Sequence, residues 1–226
     1  RTGPHMPRIK TYDRIIQASL ELFNEHGERA ITTNHIAAHL GISPGNLYYH
    51  FRNKEEIIYQ IFLQYRSFMQ TRLSLPGNAK IEASDMLKYL DTAFHGMWRF
   101  RFMFYDLPGL LARNEKLAEA YQKFVREEII EILTRLFREF VKMEFIHTDE
   151  EEIETLVVNC WIIVKFWFAF QQTANPKDPI TEETSKRGVR QVLSLLRPYI
   201  TEQYKPLFSQ IEAAFRSTHS TWQNEA

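Results

Sequence analysis

The sequence predicts an all-α protein in which a small N-terminal bundle of three helices precedes a larger helical domain. Apolar residues recur at spacings of three and four through nearly every segment, which is the periodicity of one helix face. No segment alternates apolar and polar residues as a half-buried strand would. Clusters of glycine and proline divide the chain into segments of helical length.

The length of 226 residues suits one large domain or two modest ones. We place the small bundle at residues 7–53 and the larger domain at 54–226, and residues 1–6 resemble a cloning remnant. The formal net charge is zero, which excludes a strongly basic nucleic-acid coat protein but leaves room for local basic patches. The single cysteine excludes an internal disulfide and suits a reducing compartment.

The most apolar segment, Leu156 to Phe170, is interrupted by Asn159 and Lys165. We expect it to be too short and too polar to cross a bilayer. No secretory signal is visible, so the sequence predicts a soluble, cytoplasmic protein with no membrane partner.

The N-terminal segment carries start and stop signals for several short helices. Thr11 is a candidate N-cap for the first helix, and Gly27 ends it. Thr32 or Thr33 opens the second helix, which stops at Gly41.

The third helix is predicted from a Ser-Pro-Gly sequence. Ser43 is its N-cap, and Pro44 takes the first helical position, where its missing N–H costs nothing. Leu47 and Phe51 are four apart and point inward. The residues left on the outward side are Pro44, Gly45, Asn46, Tyr49 and His50, with Tyr48 at the border.

Asn53 caps a fourth helix, with Glu56 at the capping-box position. This helix should run towards a break at Leu75 to Asn78. Further breaks are expected at 106–109, 147–151 and 175–179. Asp149 and Thr181 are the candidate caps of the two helices that follow the last two breaks.

No aspartate or glutamate occurs from Ala30 to Lys54, where the chain average of 28 acids in 226 residues gives about three. Two short helices joined at Gly41 and Ile42 make a helix-turn-helix, whose second helix enters the major groove. Phosphates repel carboxylates, so the acid-free segment indicates a surface that binds double-stranded DNA. The alternative is a helical hairpin inside a core, although such a hairpin would not gather asparagine, two tyrosines and a histidine on one short helix.

The segment "ITTNHIAAHLGISPGNLYYHFRNKEEI", Ile31 to Ile57, resembles the DNA-binding segment of TetR-family transcriptional regulators. The resemblance implies a homodimer that binds a palindromic operator and responds to a small-molecule effector. It also implies a role for individual residues. The implied DNA-binding residues are Thr33, Asn34, Pro44, Gly45, Asn46, Tyr48, Tyr49, His50 and Lys54.

Thr33 and Lys54 correspond to phosphate contacts, and Asn34 to a base-reading position. Gly45 has no side chain, so base reading near it falls to Asn46, Asn34 and Tyr49. His35 and His39 have the i, i+4 spacing of two metal ligands, but no third ligand has a matching spacing. We therefore expect solvated or phosphate-adjacent histidines and no metal site.

Two aromatic clusters occur in the larger domain, at 94–105 and 161–170. The rings either line an apolar ligand pocket or belong to the packed core, and rings at helical spacing are compatible with both interpretations. The candidate pocket residues are Phe94, Trp98, Phe102, Tyr105, Trp161, Lys165 and Trp167. Lys165 either pairs with an anionic ligand or extends its stem along an interface with its charge in water.

A later helix has an apolar stripe at i, i+3, i+4 and i+7, which suits a four-helix interface between two copies of the chain. Its residues are Val189, Val192, Leu193 and Leu196.

No paired carboxylates, nucleophile with its base, or glycine-rich phosphate loop is recognisable, so we expect neither catalysis nor a cofactor. The sequence predicts a ligand-responsive repressor. The alternatives are a helical small-molecule binding protein without a DNA function and, less favoured, an enzyme.

Overall fold

The computed structural model describes residues 10–74 and 81–216, and these residues confirm the all-α prediction. The described part contains no strand beyond one isolated bridge between Ile146 and Ile200. The chain divides into two compact units between Gln64 and Tyr65. The predicted remnant at 1–6 and the predicted break at 75–78 lie outside the described residues.

The first unit contains three helices and the start of a fourth, α4, which continues past Gln64. Their bounds are α1 Thr11–His26, α2 Thr33–Leu40, α3 Pro44–His50 and α4 Lys54–Leu73. Each helix contributes an apolar face to one core, as the spacing predicts. The buried side chains include Ile16, Leu20, Phe23, Ile36, Leu47, Phe51, Ile57 and Ile61.

Most of the predicted helix ends in this unit are confirmed. Gly27 and Gly41 follow α1 and α2 with φ of 80° and 65°, a conformation that glycine adopts without steric cost. Ser43 caps α3, since its hydroxyl accepts the Asn46 N–H at 3.1 Å. The Thr11 prediction is wrong: Thr11 is the first helical residue, and Lys10 occupies the cap position without a side-chain bond.

The second unit holds the remaining helices. Their bounds are α5 Asp85–Arg99, α6 Phe102–Tyr105, α7 Leu107–Ala112, α8 Glu115–Phe124, α9 Ile130–Lys142, α10 Glu150–Ala174, α11 Glu182–Leu196 and α12 Lys205–Ala214. A π-helical turn, Val125–Ile129, connects α8 to α9. Asp149 caps α10 as predicted, because its carboxylate accepts the Glu152 N–H at 2.8 Å.

The longest of these helices, α10, packs against α5, α6, α9 and α11. It is the one helix among the described residues that is long and apolar enough, by length and composition, to cross a membrane. The segment 156–170 considered in the sequence is only part of this helix, which is 25 residues long. In the structure, packing against four neighbours covers much of its apolar surface.

The predicted interface stripe on α11 is wrong. Val189, Val192, Leu193 and Leu196 are almost completely buried within a single chain. A side chain that its own unit already covers has no surface left to give to a second copy. The four residues do lie on one side of α11, but that side packs in the core of the unit, where α11 contacts α5 and α10.

The aromatic segment near position 100 is divided between two helices. α5 ends at Arg99, and α6 begins only at Phe102. Trp98 and Phe102, four residues apart, therefore lie on different helices and do not share a helix face. Asp106 then caps α7 by accepting the Gly109 N–H at 3.1 Å, which accounts for the predicted break at 106–109.

Candidate nucleic-acid interface and ligand cavity

The outward side of α3 presents polar and aromatic groups to solvent. Leu47 and Phe51 anchor the helix in the core, so the side chains between them are left outside. Tyr49 is 84% exposed and Tyr48 is 50% exposed, far more than is usual for rings of this size. The other exposed residues at the start of the helix are Pro44, Gly45 and Asn46.

A hydrogen bond joins this helix to the start of α2. The hydroxyl groups of Thr33 and Tyr48 lie 3.0 Å apart. This bond fixes the ring of Tyr48 against α2, while Tyr49 has no such restraint among the described contacts apart from an edge contact with His50 at 5.1 Å. The bond brings Thr33 and Tyr48 together on one surface, and the family resemblance implies that both contact the DNA backbone.

His50 is held by rings on a different helix. Tyr12 of α1 stacks on Phe51, with ring centroids 4.7 Å apart, and meets His50 edge-on at 6.3 Å. Sequence analysis missed Tyr12, because a half-buried tyrosine in the first turn of α1 gives no periodic signal. Its position next to His50 places it at the border of the same surface.

The histidine pair of α2 has a structural explanation. Thr32 and His35 form a reciprocal capping box: the Thr32 hydroxyl accepts the His35 N–H at 3.2 Å, and His35 Nδ1 accepts the Thr32 N–H at 3.1 Å. Asn34 and His39 are exposed beside it. Within the described residues, no group of three or more histidine, cysteine, aspartate or glutamate side chains could hold a metal ion.

In the structure Lys54, which the family resemblance assigns to phosphate, makes contacts within its own unit. Its ammonium donates to the backbone carbonyls of Glu28 at 2.6 Å and Ile31 at 3.1 Å, and it lies 3.2 Å from the Glu28 carboxylate. Two of its three N–H donors are thus used by backbone carbonyls, and the carboxylate lies within ion-pair distance. Lys54 therefore ties the turn after α1 to the start of α4. The sequence shows no sign of this, because the partners are more than twenty residues away.

A cation that sequence analysis missed lies directly after α3. The side chain of Arg52 is 89% exposed, and its nearest acid is Glu56 at 3.8 Å. An exposed pair at this distance contributes little and leaves the guanidinium able to bind elsewhere. Since the segment from Ala30 to Lys54 carries no acid, this surface of the unit can accept a phosphate backbone.

The second unit contains an apolar cavity of about 60 Å³ between α4, α5, α9, α10 and α11. Of the predicted pocket residues, Trp161 alone lines it. The full lining is Met69, Leu73, Met86, Tyr89, Leu90, Ala93, Ile129, Ile132, Leu133, Leu136, Phe137, Phe140, Cys160, Trp161, Val164, Val192 and Leu196. Aliphatic residues of α9 supply part of this wall, and the aromatic clusters in the sequence do not point to them.

The other predicted pocket residues lie elsewhere. Phe94 and Trp98 border a second, more polar cavity of about 70 Å³. Phe102, Tyr105, Lys165 and Trp167 line neither cavity. Phe102 is core, and the Trp167 indole N–H donates to the Thr184 carbonyl at 2.7 Å.

Lys165 extends over aromatic rings. Its ammonium lies 4.9 Å from the ring centroid of Phe166 and 5.6 Å from that of Tyr121. Partial burial lowers the pKa of Lys165, since desolvation disfavours the charged form. Of the two roles considered for this residue, the contacts favour the extended stem, and cation–π attraction supports the charge there.

Comparison with known proteins matches both units. The model described as "Bacterial regulatory proteins, tetR family" matches residues 15–61. The TetR model described as "Bacterial transcriptional repressor" matches residues 64–208. The second match alone covers more than half of the chain.

Individual proteins agree with these matches. A TetR-family regulator from Marinobacter aquaeolei VT8 has a solved structure with a TM-score of 0.84 and 40% identity, covering 92% of this chain and all of that one. The IcaR protein of Staphylococcus epidermidis, a negative transcriptional regulator of the biofilm operon icaADBC, is 26% identical over 83% of this chain and 98% of its own length.

A regulator from Rhodococcus RHA1 has a TM-score of 0.60 at 23% identity, covering 86% of this chain and all of that one, and it supports the fold alone. The two family matches and the Marinobacter structure cover the helix-turn-helix unit and the larger helical unit together. This chain belongs to the TetR family of DNA-binding bacterial transcriptional regulators.

Proposed function

We propose that this protein is a ligand-responsive repressor that binds a two-fold symmetric operator as a homodimer in the cytoplasm. The observation that carries the proposal is the outward side of α3. It combines an exposed Asn46 and Tyr49 with a bare backbone at Gly45, on a segment without acids. A helix of this kind fits the major groove and gains nothing from burial in its own unit.

The proposed reading surface divides into two kinds of contact. Asn46 and Asn34 are suited to adenine, because a carboxamide both donates to and accepts from its major-groove edge. The exposed ring of Tyr49 suits a thymine methyl group. Thr33, Tyr48, His50 and Arg52 surround these residues and suit the phosphate backbone, which sets register without reading sequence.

The proposed interface between copies is the exposed side of α10. Val158, Ile162 and Phe170 are 41–50% exposed, and they recur along the helix at intervals of four and eight residues. The other large exposed apolar side chains among the described residues are Tyr48 and Tyr49, on the proposed DNA surface. TetR-family regulators typically bind DNA as dimers, so a second copy is the partner that fits this stripe.

A matched pair of variants tests this interface. Ile162→Lys places a charge on the exposed stripe, so we expect a folded monomer with weak operator binding. Val192→Lys places the same charge in the core of the unit, where it has no partner, so we expect unfolding. Light scattering and circular dichroism separate the two results. A dimeric Ile162→Lys protein would contradict the proposed interface.

The operator is tested by selection from random duplex DNA with the full chain. We expect an inverted repeat whose half-sites are one helical turn of about 34 Å, or a multiple of it, apart. Asn46→Ala should relax the base preference of each half-site without changing their spacing. No enrichment, or enrichment of a sequence without symmetry, would contradict the proposed function. For the ligand response, we propose that an effector in the cavity stabilises a dimer whose recognition helices are wrongly spaced for DNA.

A further inference from the structure

The segment that forms α2 and α3 carries no formal charge. From Ala30 to Phe51 the sequence contains no acid and also no lysine or arginine, but it contains the histidines His35, His39 and His50. Within this segment a DNA phosphate can therefore be bound only by neutral donors or by a protonated histidine. The position of the protons on the histidines decides between these two kinds of contact.

The imidazole of His35 is held by the capping box at the start of α2. Its Nδ1 accepts the Thr32 N–H at 3.1 Å, while the Thr32 hydroxyl accepts the His35 N–H at 3.2 Å. Both ring nitrogens of a charged imidazole are donors, so the bond to Nδ1 requires the neutral ring with its proton on Nε2. The capping box thereby selects one tautomer and turns the ring towards the first turn of the helix.

The Nε2–H of His35 is available to an acceptor from outside the chain. The residue is exposed, and this nitrogen makes no hydrogen bond within the described residues. The same turn of α2 carries Thr33, whose hydroxyl lies 3.0 Å from that of Tyr48. Two hydroxyl groups and one imidazole N–H, all uncharged, therefore lie at the end of α2 that is joined to α3.

We propose that His35 binds a phosphate of the DNA backbone through Nε2–H and that it does so as an uncharged donor. The inference rests on the proposed DNA-binding function and adds a residue to its DNA surface. No proton is transferred, because the phosphate accepts the Nε2–H while Nδ1 keeps its bond to the Thr32 N–H. A contact of this kind positions the duplex and does not read its sequence.

Three substitutions of His35 separate the capping bond from the contact to DNA. His35→Gln keeps both, because a carboxamide has an acceptor oxygen and N–H donors. His35→Glu keeps the acceptor, since glutamate is an ordinary capping-box residue at this position, but it has no donor and adds a negative charge. His35→Ala keeps neither group.

The affinity of the full chain for the selected operator is measured by fluorescence anisotropy over a series of salt concentrations. We expect His35→Gln to bind within about two-fold of the parent, and His35→Ala to bind about ten-fold more weakly, as the loss of one hydrogen bond to a charged group allows. His35→Glu should bind most weakly, because its carboxylate repels phosphate. The salt slope should be the same for parent, His35→Gln and His35→Ala, since an uncharged donor releases no counterion.

Thermal unfolding of the same proteins shows that the affinities do not follow stability. The midpoint should fall by about 2–4 °C in His35→Ala, which loses the capping bond, and should stay unchanged in His35→Glu. The weakest DNA binder is thus expected to be a stable protein. If operator affinity instead follows the midpoint across the three variants, His35 acts through the cap alone and the inference is overturned.

His39→Ala is the matched control. His39 is exposed on the same helix, about 9 Å further along its axis than Thr33, and the described residues provide no capping bond for it. We expect its affinity to stay within about two-fold of the parent. An equal loss in His39→Ala and His35→Ala, or a salt slope lower by about one phosphate contact in both His35→Gln and His35→Ala, would overturn the assigned neutral contact.

Nitrogen NMR of the histidine side chains reads the tautomer directly in the full chain. We expect the proton of His35 on Nε2, both in the free protein and in the operator complex, and a shift of the Nε2 resonance when DNA binds. A proton on Nδ1 in the complex would overturn the inference. A parent protein that binds no duplex would instead end the proposed function, whereas a parent and a His35→Ala variant of equal affinity would remove this inference alone.

Discussion

The outward side of α3 and the aromatic segment from Phe100 to Phe104 are both rich in rings, but they have opposite environments. Tyr48 and Tyr49 are exposed, whereas Phe100, Phe102 and Phe104 are almost completely buried. The difference teaches that a concentration of aromatic residues does not identify a binding surface. Which rings face outward depends on whether the other residues of the same helix provide an apolar face that packs against the core.

In α3 only Leu47 can face the core, and the helix is seven residues long. Its tyrosines have no apolar neighbours on the same side of the helix, so their burial would be unfavourable in free energy. In the larger unit, apolar residues of α4, α5 and α6 surround the rings. Tyr65, for example, makes edge contacts with Phe100 at 5.6 Å and Phe104 at 5.4 Å.

The largest effect in this comparison is expected from Phe102→Ala. The ring is buried and lines neither described cavity, so its removal leaves a void in packed core. We expect a loss of about 3–5 kcal/mol in the free energy of unfolding. Denaturant unfolding measures it. A loss below about 1 kcal/mol would mean that the ring borders open space, as the aromatic-cluster prediction first allowed.

A pair of glycine substitutions sharpens the comparison. A Cβ at Gly188 of α11 would lie 2.3 Å from the Phe94 ring and 2.7 Å from the Trp167 ring, so Gly188→Ala should cost about 1–3 kcal/mol through overpacking. At Gly45 of α3 the nearest atom is 4.0 Å away, the Ser43 hydroxyl. Gly45→Ala should therefore preserve stability or raise it by up to about 1 kcal/mol.

Thermal unfolding of both glycine variants and gel-shift titration with the selected operator provide the measurements. Gly45→Ala should weaken operator binding while the fold stays intact, because the added methyl group lies on the proposed DNA surface. Equal stability losses at the two positions would contradict the distinction between an open and a packed surface.

Lys54→Met tests where the DNA surface ends. The substitution leaves the Glu28 carboxylate and two backbone carbonyls without their donor, so we expect a stability loss of about 1–2 kcal/mol. Arg52→Met is the matched control, with little effect on stability, because that side chain is exposed. The salt dependence of operator binding should weaken for Arg52→Met. The reverse pattern would restore Lys54 as a phosphate contact.

The sequence predicted the fold class and most of the helix ends, because caps and periodicity are local signals. Ser43, Gly41 and Asp149 act as their residue types indicate. The errors concern contacts between distant segments. The partners of Lys54 and the burial of Val192 depend on how helices pack, which no local spacing reports. The cavity was missed for the same reason, since five separate helices form its wall.

The most direct test of the central claim is Tyr49→Ala, measured for both stability and operator affinity. The claim is that the outward side of α3 is free of internal packing and is reserved for DNA. Tyr49 is 84% exposed, so we predict that the free energy of unfolding of the variant stays within about 0.5 kcal/mol of that of the parent protein. Operator affinity should fall about ten-fold or more, as the loss of a base contact allows. A clear loss of stability with unchanged operator affinity would contradict the account.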